Sequence, residues 1–227
     1  MFENQVDGVQ LAIFAKAPVA GYAKTRLIPS LGPEGAATLQ SFLFRHTVQT
    51  ALASPLRPLS LWCAPDCEHP IFRSARLDHG FNTHIQVGND LGERMFTAFE
   101  QLTRRSPALL MGTDCPILSV DHLTRCAAAL AGGADAAFVP AEDGGYALIG
   151  LRKAAWRLFE DIPWGTGGVM RMTRDRSREK NMSIFETEPL WDIDTPADYC
   201  RAKSAGLLRD PAADVIGGRA FRIQSAS

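Results

Sequence analysis

The chain has 227 residues, a formal net charge of −1 at pH 7, 46% hydrophobic and 22% charged residues. That length admits one large α/β domain with a sizeable core, and the composition excludes a disordered chain. The near-zero charge argues against nucleic acid or an acidic membrane as partner, so any phosphate must be bound locally.

Residues 9–15 are apolar and partly β-branched, which predicts a first strand buried on both faces of a parallel sheet. Gly32-Pro33-Glu34 predicts a helix start, with Leu39, Phe42, Leu43 and His46 at helical spacing and an end near Ala53. Strands follow over 58–63 and 83–87, with the residues between them poorly patterned. Asp90-Leu91-Gly92-Glu93 reads as an acidic capping box, and Leu91, Met95, Phe99 and Leu102 continue on one helical face. A strand over 108–111 and a helix over 119–131 come next, then strands over 136–139 and 146–151 joined by a turn-rich sequence that suggests a hairpin. Residues 153–160 read as helical. A basic helical stretch, a strand near 182–185 and a last helix to about Gly206 complete the pattern. Alternating strands and helices imply a mainly parallel sheet with helices on both faces, and ligands at the carboxyl ends of its strands. We read one domain over residues 1–208 and a C-terminal tail or arm over 209–227.

Apolar runs such as residues 107–111 fall far short of the roughly 20 residues needed to span a bilayer. Residues 1–5 lack the basic start and apolar core of a secretory signal, so a cytoplasmic protein without membrane insertion is expected. Cys63, Cys67, Cys115, Cys126 and Cys200 are odd in number, without a Cys-x-x-Cys pair. Reduced thiols are expected, and a metal here would need oxygen ligands.

Four stretches carry chemistry. Lys24 and Arg26, with Gly21 before them, lie after the first strand where phosphates would bind, although a solvated basic loop has the same look. The P-loop spacing is absent. Asp114 follows a buried strand and would project into the strand-end crevice as a ligand of magnesium or manganese, or else cap a turn. In Asp192-Ile193-Asp194-Thr195-Pro196, Thr195 and Asp198 form a capping arrangement. Asp192 and Asp194 share one face of an extended segment and offer a second metal ligand, unless Asp194 only complements the helix dipole. Asp143-Gly144-Gly145-Tyr146 makes a tight turn or lets a sugar or acceptor approach the main chain, with Asp143 as acceptor or base. Arg171, Arg174 and Arg178 read as a solvated stripe.

Together, Ala15-Lys16-Ala17-Pro18 with Gly21-x-x-Lys24-Thr25-Arg26-Leu27, Asp90-Leu91-Gly92-Glu93-Arg94-Met95, Gly112-Thr113-Asp114-Cys115-Pro116, Asp143-Gly144-Gly145-Tyr146-x-Leu148-Ile149-Gly150-Leu151 and Asp192-Ile193-Asp194-Thr195-Pro196 resemble one family across residues 9–206. It is the glycosyltransferase-A-like family labelled as a domain of unknown function (DUF2064), which includes proposed arsenosugar-biosynthesis glycosyltransferases. The family is similar to the nucleotidyltransferases that make molybdenum-cofactor dinucleotides and the deazaflavin cofactor precursor.

The resemblance implies a Rossmann-like nucleotide-diphospho-sugar transferase fold. It implies nucleotide contacts at Ala15, Lys16, Gly21, Lys24, Arg26 and Asp114, and catalytic roles for Lys24, Arg26 and Asp143. Asp114 and Asp194, with Asp192, would hold Mg2+ or Mn2+, and Gly144, Gly145, Tyr146 and Trp164 would face the acceptor. Gly112-Thr113-Asp114 offers one carboxylate where many glycosyltransferases carry an Asp-x-Asp pair. The expected activity is metal-dependent sugar transfer from a nucleotide sugar to a small-molecule acceptor. Nucleotidyl transfer between a nucleoside triphosphate and a phosphorylated small molecule is the alternative, and a catalytically silent nucleotide-sugar sensor is a third reading. The sequence leaves oligomeric state open.

Overall fold

The computed structural model describes residues 8–208, and the tail or arm expected over 209–227 lies outside the described residues. The apolar runs make one seven-stranded sheet. Its strands are β1 (Gln10–Lys16), β2 (Leu59–Ala64), β3 (Asn82–Ile85), β4 (Ala108–Met111), β5 (Ala136–Pro140), β6 (Tyr146–Leu151) and β7 (Ile184–Glu186). They lie in the order β3-β2-β1-β4-β6-β5-β7. β1 runs parallel to β2 and β4, β2 to β3, and β5 to β7. β6 alone is reversed, antiparallel to both β4 and β5, so the expected hairpin forms within a mainly parallel sheet. The reversal has a consequence for the site: Met111 at the end of β4 pairs with Leu148, which brings the start of β6 to the carboxyl edge of the parallel strands.

The helices are α1 (Ile28–Ala53), α2 (Pro70–His79), α3 (Leu91–Leu102), α4 (Val120–Ala131), α5 (Val169–Glu179) and α6 (Pro196–Ser204). Side chains alternate across β1, so Leu11, Ile13 and Ala15 enter one core with Phe44, Val48, Phe72 and Leu123 from α1, α2 and α4. Ala12 and Phe14 enter the opposite core with Met95 and Phe99 of α3 and Met170 of α5. Each such buried Leu or Phe contributes about 1.5–3 kcal/mol relative to exposure. A third cluster joins Leu39 and Leu43 of α1 to Ile193 and Ala202, which places α6 against the outside of α1.

Local expectations fare unevenly. Gly32 (φ 70°, ψ 167°) breaks α1, and Pro33 starts its long segment where the sequence marks a helix start. Asp90 caps α3 by accepting from the Glu93 amide at 2.8 Å, but Glu93 reaches back to Asn89 N at 2.8 Å, so the expected reciprocal box is displaced by one residue. The helix expected over 153–160 is absent, reduced to a 3-10 turn at Trp156–Leu158. Ala154 N is held by Thr103 Oγ1 at 3.0 Å and Ala155 is extended, while Leu158 and Phe159 are pulled into the second core, so tertiary packing overrides local helical spacing. α2 occupies the stretch that shows no pattern in sequence. The five cysteines are free, and among the described residues no helix is long and apolar enough to cross a membrane.

Candidate active site

The carboxyl edge of the sheet opens into a cleft of about 490 Å³ between β1, β4 and the start of β6, within the usual range of small-ligand sites. β1 leads into it directly. After Lys16 the chain turns, with the Tyr22 and Ala23 amides both donating to the Val19 carbonyl at 3.0 Å. Lys24 then takes a left-handed conformation (φ 46°, ψ 46°), which costs a non-glycine residue about 1 kcal/mol or more and clusters at functional sites. Its side chain is only 5% exposed.

The Lys24 ammonium meets Asp114 Oδ1 at 2.6 Å, Asp194 Oδ1 at 2.9 Å and the Ile193 carbonyl at 2.7 Å. Burial works against its charge, but the two carboxylates outweigh burial and hold the ammonium above the ordinary lysine value. Arg26 adds a looser contact, 3.6 Å from Asp194 Oδ2.

Main-chain bonds bring the two acidic loops together. Ile193 N donates to the Asp114 carbonyl at 2.9 Å, and the Cys115 thiol donates to the Trp191 carbonyl at 3.3 Å. Gly112 N donates to Ala147 O at 3.0 Å, tying the Asp114 loop to the start of β6. From beneath, Gln40 Nε2 of α1 donates to Thr113 Oγ1 at 2.9 Å, both side chains being buried. Thr195 and Asp198 form the expected capping box of α6, with Thr195 N donating to Asp198 Oδ2 at 2.7 Å, which leaves Asp194 free to face Lys24.

Of the residues singled out in sequence, Ala15, Lys16, Lys24, Arg26, Asp114, Asp194 and Tyr146 line this cleft, whereas Gly21, Asp143, Gly144, Gly145, Trp164 and Asp192 stand outside its lining. Asp192 is still within the field of the cluster. Burial first, then the charges of Asp143, Asp194 and Asp114, push its carboxyl up to about 7. Among the described residues no group of three His, Cys, Asp or Glu side chains gathers around one metal position.

The Asp143 turn has its own internal order. Asp143 Oδ1 accepts from Gly145 N at 2.8 Å, and Gly144 (φ 90°) lies so close to Gly167 that an added Cβ would collide with its backbone. Trp164 rests on Gly92, where a Cβ would meet the indole at 2.7 Å, and packs edge-on against Tyr146 with ring centroids 6.4 Å apart. Trp164 therefore buttresses a ring that does line the cleft. The arginine stripe is largely paired: Arg174 with Glu186, and Arg171 and Arg178 with Asp175.

Sequence reasoning misses Gln40, Gln86 and Arg94, all in the cleft wall. Gln86 Nε2 donates to the Trp62 carbonyl at 2.9 Å and Arg94 Nε to the Gly88 carbonyl at 3.0 Å. Arg94 has no carboxylate partner among the described residues. One signal existed: Gln40 is a polar residue on the apolar face that Ala36, Leu39 and Leu43 define.

The family model described as an uncharacterized protein conserved in bacteria (DUF2064) matches residues 47–166. The chain belongs to this family. A structure from Desulfovibrio desulfuricans G20, provisionally described as a nucleotide-diphospho-sugar transferase, is 30% identical, with 90% of this chain and 91% of that one covered and a TM-score of 0.78. The fold is also that of 4-diphosphocytidyl-2C-methyl-D-erythritol synthase from Anaerococcus prevotii DSM 20548, at 12% identity, 90% and 99% coverage and a TM-score of 0.59. The inositol-1-phosphate CTP transferase of T. maritima shares it at 13% identity, 84% and 91% coverage and a TM-score of 0.52. No curated protein matches the chain.

Proposed function

We propose that the chain is a transferase acting on a nucleoside di- or triphosphate held with Mg2+ or Mn2+, and that its reaction is sugar transfer from a nucleotide sugar to a small-molecule acceptor. The observation that carries this reading is the convergence of Lys24, Asp114 and Asp194 at the strand-end cleft, where Lys16, Arg26 and Arg94 supply further positive charge. The 30% identity to the Desulfovibrio protein supports the donor class.

The donor set fits a hard divalent cation. Asp114 and Asp194 already turn one oxygen each toward a shared positive centre, and such ions take one or two carboxylates and complete their shell with phosphates and water. Asp114 and Asp194 would hold the ion, with Asp192 close by. When bound, it supplies Lewis-acid stabilisation of charge on the departing diphosphate.

The chain's own residues do the rest. Lys24, Arg26 and Lys16 would bind phosphate oxygens, and Ala15 would line the nucleotide's path along the end of β1. Phe14, Leu110 and Ile149 supply an apolar part of the cleft wall against which a sugar or base would pack. Tyr146, backed by Trp164 and the Gly144–Gly145 turn, would present the acceptor. An acceptor oxygen then bonds to the anomeric carbon as the bond from that carbon to the diphosphate breaks, its electron pair leaving with the nucleotide. The acceptor hydroxyl releases its proton to solvent, and Asp143 serves the turn.

A second reading, nucleotidyl transfer, is favoured by the single carboxylate in Gly112-Thr113-Asp114. In it, a phosphate of the second substrate attacks the α-phosphorus and pyrophosphate leaves. Products decide between the two. Sugar transfer releases a nucleoside diphosphate from a nucleotide sugar, whereas pyrophosphate released from a triphosphate and a sugar phosphate would replace that reading with the second. Stabilisation by nucleotides without either product would leave a sensor. In a thermal-shift screen, Mn2+-dependent stabilisation by a nucleotide ligand is expected, and Asp114→Asn abolishes it; a variant that keeps the full shift removes Asp114 from the site.

A further inference from the structure

A lysine ammonium has three hydrogens to donate. Lys24 has three acceptors in place, Asp114 Oδ1, Asp194 Oδ1 and the Ile193 carbonyl, all between 2.6 and 2.9 Å. Its donors are fully used inside the protein, and its side chain is almost sealed from water. The two carboxylate oxygens it holds are the ones that point to a common centre.

We propose that Lys24 is an internal counter-ion that keeps the Asp114–Asp194 pair closed to divalent metal until a phosphate group draws the ammonium away, so that phosphate and metal bind as a coupled pair. This inference rests on the reading of the cleft as a nucleotide site.

Electrostatics make the arrangement bistable. A divalent ion entering alone would share two carboxylates with a buried ammonium a few ångströms away, and like charges that close repel strongly in a partly desolvated site. A phosphate changes the balance by giving Lys24 replacement acceptors and the metal a further oxygen ligand. Arg26 reaches only Asp194 Oδ2, at 3.6 Å and 62% exposed, so it can remain in place while Lys24 swings. The left-handed backbone at Lys24, held by the Leu27 N to Lys24 O bond of 2.8 Å, keeps the base of the side chain fixed while its tip exchanges partners.

The test measures Mn2+ binding to the full chain by electron paramagnetic resonance of the free ion, without nucleotide. Lys24→Met removes the charge at similar length, and Lys24→Gln retains two donors in case the first variant folds poorly. Folding of each is checked by circular dichroism. Both variants are expected to bind Mn2+ alone about tenfold more tightly than wild type. Saturating inorganic phosphate is expected to tighten Mn2+ binding to wild type by at least the same factor and to tighten it less in the variants, which keep only the metal's gain of a phosphate ligand; an equal gain in wild type and variants overturns the coupling. Equal or weaker binding of Mn2+ alone by a folded variant overturns the proposal, because a lysine that only contacts phosphate would leave metal-alone binding as it was. Failure of the nucleotide reading shows differently, as wild type that no nucleotide stabilises in the presence of Mn2+, and the metal-alone comparison does not depend on that result.

Discussion

Two loops at the same edge of the sheet, the Asp114 loop after β4 and the Asp143 turn before β6, each carry an aspartate next to small residues. They differ in where the aspartate spends its oxygens. Asp143 Oδ1 accepts from the amide two residues on, so that carboxylate closes its own turn. Asp114 is positioned through its main chain by Ile193 N, and its carboxylate is left to meet a cation brought from elsewhere in the chain. On the proposed reading, Asp143 shapes its own turn instead of acting as the base expected from sequence, whereas Asp114, its loop pinned by main-chain bonds, is available for chemistry.

Substitutions can break this contrast. The largest effect is expected at Asp114→Asn, where removal of one of two anchoring carboxylates lowers kcat about 10³-fold in a steady-state assay, with the fold retained by circular dichroism. Next, Gly144→Ala is expected to cost about 3 kcal/mol in urea unfolding, because it adds a Cβ at positive φ against the Gly167 backbone. Arg94→Ala should raise KM for the nucleotide substrate about tenfold while leaving kcat nearly unchanged, the sign of uniform binding by a side chain whose Nε alone is anchored. Asp143→Asn should do least, with kcat within about twofold and stability within about 0.5 kcal/mol, since asparagine closes the same turn. A hundredfold loss of kcat in that last variant would erase the distinction between the two loops.

The legibility of the chain follows the same line. β4 and β6 are readable to the residue because their apolar runs are unbroken and bounded by turn residues. α2 is not, because only Phe72 and Ala75 on it are buried, too few to set a helical stripe. The expected helix over 153–160 fails for the opposite reason: its apolar residues are numerous, but they are distributed to suit α3 and the second core. At the site, Lys24, Asp114 and Asp194 are found because each sits at a strand end or helix junction, and the strand-end rule gathers them. Gln86 carries the same marker, following the last residue of β3, but it bears no charge to draw attention, whereas Gln40 and Arg94 carry no such marker. Gln40 comes from mid-helix and Arg94 from a first turn, and only the packing of α1 and α3 aims them into the cleft.

The bond between Lys24 and Asp194 joins residues 170 positions apart. Because a chain is made from its amino end, the lysine precedes its partner carboxylate by that whole span, and the Ile193 amide on the Asp114 carbonyl is what holds the late segment beside the early one. The cleft as described therefore exists only in a chain that extends past residue 194, because its wall is built from segments near both ends of the described residues.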